Sequence, residues 1–501
     1  MQGHWLVALD QGTTSSRAIV FTPEGRLKAS AAFEFRQHYP TPGWVEHEPQ
    51  DLLDSQVKAL REAVKKAGIH PREIAAIGIA NQRETTLVWE RESGKPVCRA
   101  IVWQCRRTAN QIDKLKQDGQ APLIQEKTGL VPDAYFSATK LRWILDETGK
   151  QRDAEAGKLC FGTVDSFLAS HLVSGRPHVT DATNASRTML FNLKNQDWDE
   201  DLLRLFNIPR VMLPNVVDSS GVIGTLDEAI LGFPVPVASL AGDQHAALFG
   251  QGCFMPGNVK NTYGTGCFML MNTGEEMVSD PFGLLTTMAW RLQGKPTYAL
   301  EGSVFTAGAA VQWLRDELGI ITTSAQSEEF ACQASDTGGV HLVPAFTGLG
   351  APHWNMYARG ALLGITRGTN RGHICRAALE SIAFQSDDLL SLMATSLGRA
   401  PQTLRVDGGA SANNLLMQLQ ADISGIQVLR PQVKETTALG AALLAGLAVG
   451  MFESPQEALA QWRLDRAFDP EIQPQKRDIM RGGWQRAVKT ALYEAALGRE
   501  T

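Results

Sequence analysis

The sequence predicts an α/β protein of two domains with a ligand cleft between them, and three observations lead to that expectation. At 501 residues, the chain exceeds the roughly 250–300 residues at which a single hydrophobic core stops growing. Short apolar runs alternate with stretches of helical periodicity, and polar or glycine-rich residues sit at the ends of the runs, where open α/β sheets place ligands. Finally, a Gly-Thr turn between two β-like runs occurs at 7–21 and again at 258–272, about half a chain length apart, each followed by further strands and a helix. A unit repeated at that spacing is an internal duplication.

In chain order, VALDQGTTSSRAIVF (7–21) reads as strand, tight turn, strand. Leu27, Ala29, Ala31, Phe33 and Phe35 recur every second residue, the pattern of a third, half-buried strand. Leu53, Val57, Leu60 and Val64 place an apolar stripe on a helix over 49–66. A strand over 74–80 ends at Asn81-Gln82-Arg83-Glu84, and a short strand follows at 85–89. Residues 101–108 repeat that arrangement, with an apolar entry before Trp103, Arg106 and Arg107. Helices are expected over 136–146 and 163–173, while 178–192 is polar and then β-like. Gly-Asp-Gln at 242–244 opens the segment before a link through Pro256 and Gly257, giving expected domains of 1–252 and 258–501. The second half continues with a strand over 298–302 and a helix over 306–318. A strand over 404–406 then leads into Asp407-Gly408-Gly409, and the next helix starts near 411–413. The run 437–452 is shorter than the ~20 residues a membrane span needs and is rich in Gly and Ala, so a tightly packed soluble helix is expected. A mixed-charge helix over 475–497 ends the chain.

Composition excludes several classes. A net charge of −5 and a pI near 6.1 argue against a nucleic-acid surface. Seven cysteines, odd in number and without a CxxC pair, suit a reducing cytosol better than a disulfide framework. Asp10 interrupts the apolar stretch that begins at Trp5, so no signal-peptide core is expected and the reading is cytoplasmic, with no membrane insertion. The ten histidines show no metal-ligand spacing.

The glycine-rich turns carry the chemistry. Gly12 removes a Cβ so that backbone N–H groups can approach an anion, and Thr13, Thr14 and Ser15 add hydroxyls. This is not a P-loop, because no Gly-Lys is followed by Ser or Thr. Asp10 suits a hydrated Mg²⁺, a hard cation that takes oxygen ligands and keeps several waters. The pair Gly408-Gly409 before a helix admits either a ligand at the backbone amides or a plain tight βα loop. Asp243 is open both to a proton-accepting role and to that of a carboxylate at a helix N-terminus. Ser137-x-x-Lys140 and Lys127-Thr-Gly129 spell β-lactamase motifs, but the order is wrong and Ser-Asp-Asn is missing.

Two hairpin phosphate motifs plus a Gly-Gly adenosine motif resemble the actin-like ATPase superfamily. Within it the chain resembles the FGGY carbohydrate kinases, and NQRE (81–84), WQCRR (103–107), TNASRTMLFN (183–192), GDQ (242–244) and NTYGTGCF (261–268) are similar to the glycerol-phosphorylating branch. The resemblance spans nearly the whole chain. It implies two ribonuclease-H-like domains around an interdomain active-site cleft, and ATP-dependent phosphorylation of glycerol as the first step of glycerol catabolism. Asp243 is implied as the base. Arg83, Glu84, Trp103, Tyr135, Gln244 and Phe268 are implied around glycerol, Asp243 among them. Thr13, Thr14, Ser15, Arg17, Thr265, Gly308, Gln312, Gly409 and Asn413 are implied around ATP or ADP, and Asp10 with Asp243 at Mg²⁺. Homodimer and homotetramer both stay open. Some bacterial members carry an Arg-containing fructose 1,6-bisphosphate loop shortly before GDQ, or a phosphorylated His there. Here 223–237 holds no Arg or Lys, and no His lies between His178 and His245, which puts both regulators in doubt. Two other readings keep the fold: a kinase of another polyol or pentulose, and a non-enzymatic actin-like or chaperone-like nucleotide switch.

Overall fold

The computed structural model describes residues 4–497. Two mixed sheets are built on one plan. In the first, β1 (Trp5–Gln11), β2 (Ser15–Phe21) and β3 (Leu27–Glu34) form an antiparallel meander. Helix α1 (Pro49–Ala67) crosses over to β4 (Ile74–Asn81), parallel to β1, and β5 (Pro236–Gly242) extends the sheet before α2 (Asp243–Gly250). In the second, β6 (Val259–Tyr263), β7 (Cys267–Gly274) and β8 (Lys295–Val304) repeat the meander, and α3 (Gly308–Asp316) follows it. Next comes β9 (Thr403–Asp407), parallel to β6, then α4 (Asn414–Ser424), β10 (Gln427–Pro431) and α5 (Thr436–Ala448). The strand orders are β5-β4-β1-β2-β3 and β10-β9-β6-β7-β8, each with further edge strands, so the duplication read from two turns extends to topology.

The stretch Leu6–Leu9 of β1 is a continuous apolar run because both its faces are covered. Val7 and Leu9 pack with Leu52 and Leu60 of α1, while Leu6 and Ala8 pack with Ala441 and Ala445 of α5. Helix α5 therefore follows β10 of the second sheet yet packs on the first sheet, and α2 reaches β6 and β7 in return. The two helices meet backbone to backbone. A Cβ on Gly440 would lie 1.8 Å from the Ala246 oxygen, one on Gly250 2.1 Å from the Thr436 oxygen, and one on Gly78 2.2 Å from the Ala441 oxygen. Those distances leave no room for any side chain, which is the physical reason the 437–452 run is so rich in small residues. Beside the crossing, the Asp407 carboxylate accepts from Gln251 Nε2 at 2.8 Å and Thr436 Oγ1 at 2.7 Å, tying β9 to both helix ends.

Strand β3 is the half-buried edge strand that the alternation predicts: Ala31 is buried and Ala29, Phe33 and Phe35 pack against the core, with Leu27 exposed at its start. One local expectation needs correction: the segment 178–192 is not mainly β. A three-residue strand, Val179–Asp181, gives way to a single helical turn, Ala182–Ala185, because the Asp181 side chain accepts from the Thr183 and Asn184 amides and starts a helix. Its polar residues Thr183, Asn184, Ser186 and Arg187 are buried.

Candidate active site

The first Gly-Thr turn closes on itself through Gly12 N–H to the Ser15 oxygen (3.0 Å). Side chains hold it in place: Gln82 Nε2 donates to the Gly12 oxygen (3.0 Å) and Gln37 Nε2 to the Thr13 oxygen (3.1 Å). Trp103 donates its indole N–H to Thr13 Oγ1 at 3.0 Å, so the aromatic residue expected beside the acceptor is anchored on the phosphate turn. Asp10 and Arg17 are register partners across the hairpin. The Arg17 guanidinium is paired with Glu435, just before α5.

Arg83 and Glu84, a spelling that usually marks a solvated surface, are buried at the end of β4, with Glu84 in the left-handed region at φ 60°. Arg83 meets Glu301 of β8 through two bonds (2.6 and 2.9 Å), and its Nε lies 3.4 Å from an Asp243 oxygen. Arg187 bridges the same carboxylates, donating Nε–H to Glu84 (2.7 Å) and Nη2–H to Glu301 (3.1 Å). Two guanidiniums thus face two carboxylates, with Asp243 at their edge. Burial works to raise Glu301, but Arg187 and Arg83 outweigh it and hold it at about 2. Burial also raises Glu84 and Asp243, and for Asp243 the cations Arg83 and Lys260 and the Gln244 amides resist that rise. Glu301 uses only two of the five N–H donors of Arg83, and Arg187 Nη1 has no partner.

Aromatic side chains wall this polar floor. Trp103 makes edge contacts with Tyr135 (5.5 Å between centroids) and Phe268 (6.2 Å). Behind them, the motif discarded as a β-lactamase signature props the wall: Lys140 Nζ donates to the Tyr135 backbone carbonyl (2.6 Å) and Ser137 Oγ to the Glu84 backbone carbonyl (3.0 Å). Asp243 is the first residue of α2 after Gly242, and Gln244 is 7% exposed beside it.

Asp10 tests the fit of a cation. Burial pushes its carboxyl up to about 7; Arg17 opposes the rise, and the carboxylates of Asp243 and Glu435 add to it. A buried hard oxygen donor raised by neighbouring carboxylates is a place where a divalent cation relieves repulsion. Among the described residues no three His, Cys, Asp or Glu cluster as a metal cage. Mg²⁺ needs none, since it binds through one or two carboxylates plus phosphate and keeps its waters.

The second turn is held by backbone. The amides of Ala307 and Ala309 donate to the Thr265 oxygen (2.8 and 3.1 Å), and that of Gly308 to the Gly264 oxygen (3.0 Å). A Cβ on Gly308 would sit 2.6 Å from the Gly264 oxygen, so that position is closed to any other residue. Gln312 lies one turn further along α3 and is exposed. In the Gly-Gly pair, Gly408 has φ 84° and would drive a Cβ to 2.5 Å from the Tyr263 oxygen, whereas Gly409 has nothing within 4 Å of its would-be Cβ. Gly408 therefore serves the packing and Gly409 leaves open space. Asn413 caps α4 by accepting from the Leu416 amide (2.8 Å), which leaves its NH₂ unspent.

Two family models match the chain: the FGGY carbohydrate kinase N-terminal domain over residues 5–250 and the C-terminal domain over 259–449. The chain belongs to the FGGY family of carbohydrate kinases. Among similar curated proteins, a glycerol kinase of Caldanaerobacter subterraneus is 58% identical over 97% of this chain and 98% of that one. Glycerol kinase 2 of Thermotoga maritima is 57% identical over 97% and 99%. The crystal structure of Plasmodium falciparum glycerol kinase with ADP superposes with a TM-score of 0.91, at 34% identity, covering 98% of this chain and 99% of the other. A xylulose kinase from Lactobacillus acidophilus, at 21% identity and a TM-score of 0.89, shares the fold.

Sequence reasoning missed Glu301, Arg187 and Lys260. A signal existed for one of them: Glu301 is a single charge inside the mostly apolar run 298–304, and it is fully buried. A lone charge in such a run requires a partner. Arg187 lay within a quoted stretch but nothing in its spacing set it apart.

Proposed function

We propose that this kinase transfers the γ-phosphoryl group of ATP to a terminal hydroxyl of glycerol, giving sn-glycerol 3-phosphate. The observation that carries the reading is the convergence of Arg83, Glu84, Asp243 and Gln244 under the Trp103, Tyr135 and Phe268 wall, beside a turn that hydrogen-bonds Trp103. The names of the 55–58% identical relatives support the choice of glycerol.

In this reading Asp243 accepts the proton of the attacking hydroxyl. Its raised pKa, caused by burial, brings it closer to that task at neutral pH than an ordinary carboxylate. Arg83 offers donors only and Glu84 only acceptors, so together they read two hydroxyls of a triol. The aromatic wall limits the length of the carbon chain. Thr13, Thr14 and Ser15 face the transferred phosphoryl, and Thr265, Gly308, Gln312, Gly409 and Asn413 hold the nucleotide. Arg17 reaches the phosphates by exchanging its partner Glu435 for them. Asp10 with Asp243 would hold Mg²⁺, which when bound neutralises charge on the phosphates. Closure of the two halves about the α2/α5 crossing excludes water, the competing acceptor. We place the enzyme in the cytoplasm; all seven cysteines are free.

ADP release measured with glycerol, dihydroxyacetone, xylulose, ribulose and no acceptor tests the proposal. Glycerol is expected to give the highest kcat/KM. Turnover independent of acceptor, or a pentulose ranking first, contradicts it.

A further inference from the structure

Lys260 lies on β6, in the half of the chain that does not carry Gln244, and is fully buried. Its ammonium donates to Gln244 Oε1 (2.5 Å), Thr262 Oγ1 (2.8 Å) and the Phe268 oxygen (3.2 Å). An ammonium has three donors and no acceptor, so these three bonds use all of it. Thr262 and Phe268 are register partners on β6 and β7, which fixes two of the contacts to a rigid hairpin. The third contact selects one end of the Gln244 amide. The two ends have nearly the same shape and differ only in that C=O accepts and NH₂ donates. Facing a donor-only cation, the amide presents its oxygen to Lys260 and leaves its NH₂ to donate elsewhere.

We propose that Lys260 is a positioning residue that determines acceptor specificity: by claiming the Gln244 oxygen it ensures that only the NH₂ end meets the acceptor, so the site demands an oxygen beside Gln244. Because Lys260 and Gln244 come from different halves, this selection exists only when the halves are assembled as seen here. The inference rests on the glycerol kinase reading above.

The test compares Lys260→Met with wild type on glycerol, propane-1,2-diol and propane-1,3-diol, which lack a terminal and the central hydroxyl respectively. For glycerol, kcat/KM is expected to fall about 10- to 100-fold through KM for glycerol, while KM for ATP stays within about twofold. For the diol that lacks the hydroxyl facing Gln244, the same substitution costs no more than about threefold. The double variant Lys260→Met with Gln244→Ala should be no worse than Gln244→Ala alone. Equal losses on all three acceptors, additive losses in the double variant, or near-wild-type glycerol kinetics each overturn the inference. Gln244→Glu keeps the bond to Lys260 but lacks the NH₂, so it must reproduce the selective loss even where Lys260→Met fails to fold. Wild-type enzyme with no glycerol-dependent ADP release overturns the functional reading itself, whereas wild-type turnover with an unselective variant overturns only the role of Lys260.

Discussion

The two Gly-Thr hairpins share a backbone plan and differ in what secures them. The turn at 12–15 is held by side chains of Gln82, Gln37 and Trp103, all from the first half of the chain. The turn at 264–266 is held by amides of residues 307–309 at the start of α3. Side-chain anchoring links the first turn to acceptor chemistry, since moving Trp103 moves Thr13. Backbone anchoring links the second to a helix N-terminus, whose first amides are spent on holding the turn. The first hairpin also carries a carboxylate, Asp10, two residues before its glycine, where the second has Thr262. Duplication supplied the frame, and in the proposed reading one jaw serves metal and acceptor and the other nucleotide.

That contrast can be broken at graded cost. The largest effect is expected at the charge cluster joining the halves. Glu301→Ala leaves Arg83 and Arg187 short of a buried counter-charge and should lower unfolding stability by about 3–5 kcal/mol in urea denaturation, with activity lost. Next, Gly308→Ala pushes a Cβ against the Gly264 oxygen and should cost about 1–3 kcal/mol. Its signature is a rise in KM for ATP with glycerol affinity retained, the mark of a nucleotide-side turn. Thr13→Val removes the acceptor of the Trp103 indole and should act on the other side, weakening glycerol by about 1–2 kcal/mol in KM. Gly409→Ala is the mildest: with open space around it, stability should stay within about 0.5 kcal/mol while KM for ATP rises. Gly408→Ala, at φ 84° and against Tyr263, should instead destabilise the fold.

The pH dependence sharpens the same comparison, because only the first hairpin carries a titrating carboxylate at this place. With the folded pKa of Asp10 raised by burial from 3.8 to about 7, native protein holds a proton that the unfolded chain releases. The stability this provides is complete below pH 4 and is lost as pH rises through 7. Without metal or nucleotide, Asp10→Asn should therefore gain on wild type in thermal midpoint between pH 5 and 8.

What was legible in the sequence follows the range of the forces involved. Local signals sufficed for the hairpins, for α1 with its stripe of Leu53, Val57, Leu60 and Val64, and for the small-residue helix α5. The resemblance named Arg83, Glu84, Asp243 and Gln244, and the structure places Arg83, Glu84 and Gln244 in a buried floor with the half-buried Asp243 at its edge. The partners that orient them were not legible, because Glu301 lies 218 residues from Arg83 and the two meet only when both sheets are assembled. Nor could spacing show that α5 returns to the first sheet, since that packing is set by Gly78, Gly250 and Gly440 meeting across the crossing. The segment 178–192 misled because polar residues with β-like neighbours read as a strand, whereas the Asp181 cap turned them into a buried network.

Asp243 lies beside Arg83 at the edge of the charge cluster and is the proposed base. Glycerol-dependent ADP release by Asp243→Asn, measured beside equilibrium glycerol binding, addresses that role most directly. Turnover is expected to fall about 10²- to 10⁴-fold while glycerol affinity stays within about tenfold. A variant that retains near-normal turnover contradicts the assignment of Asp243 as the base.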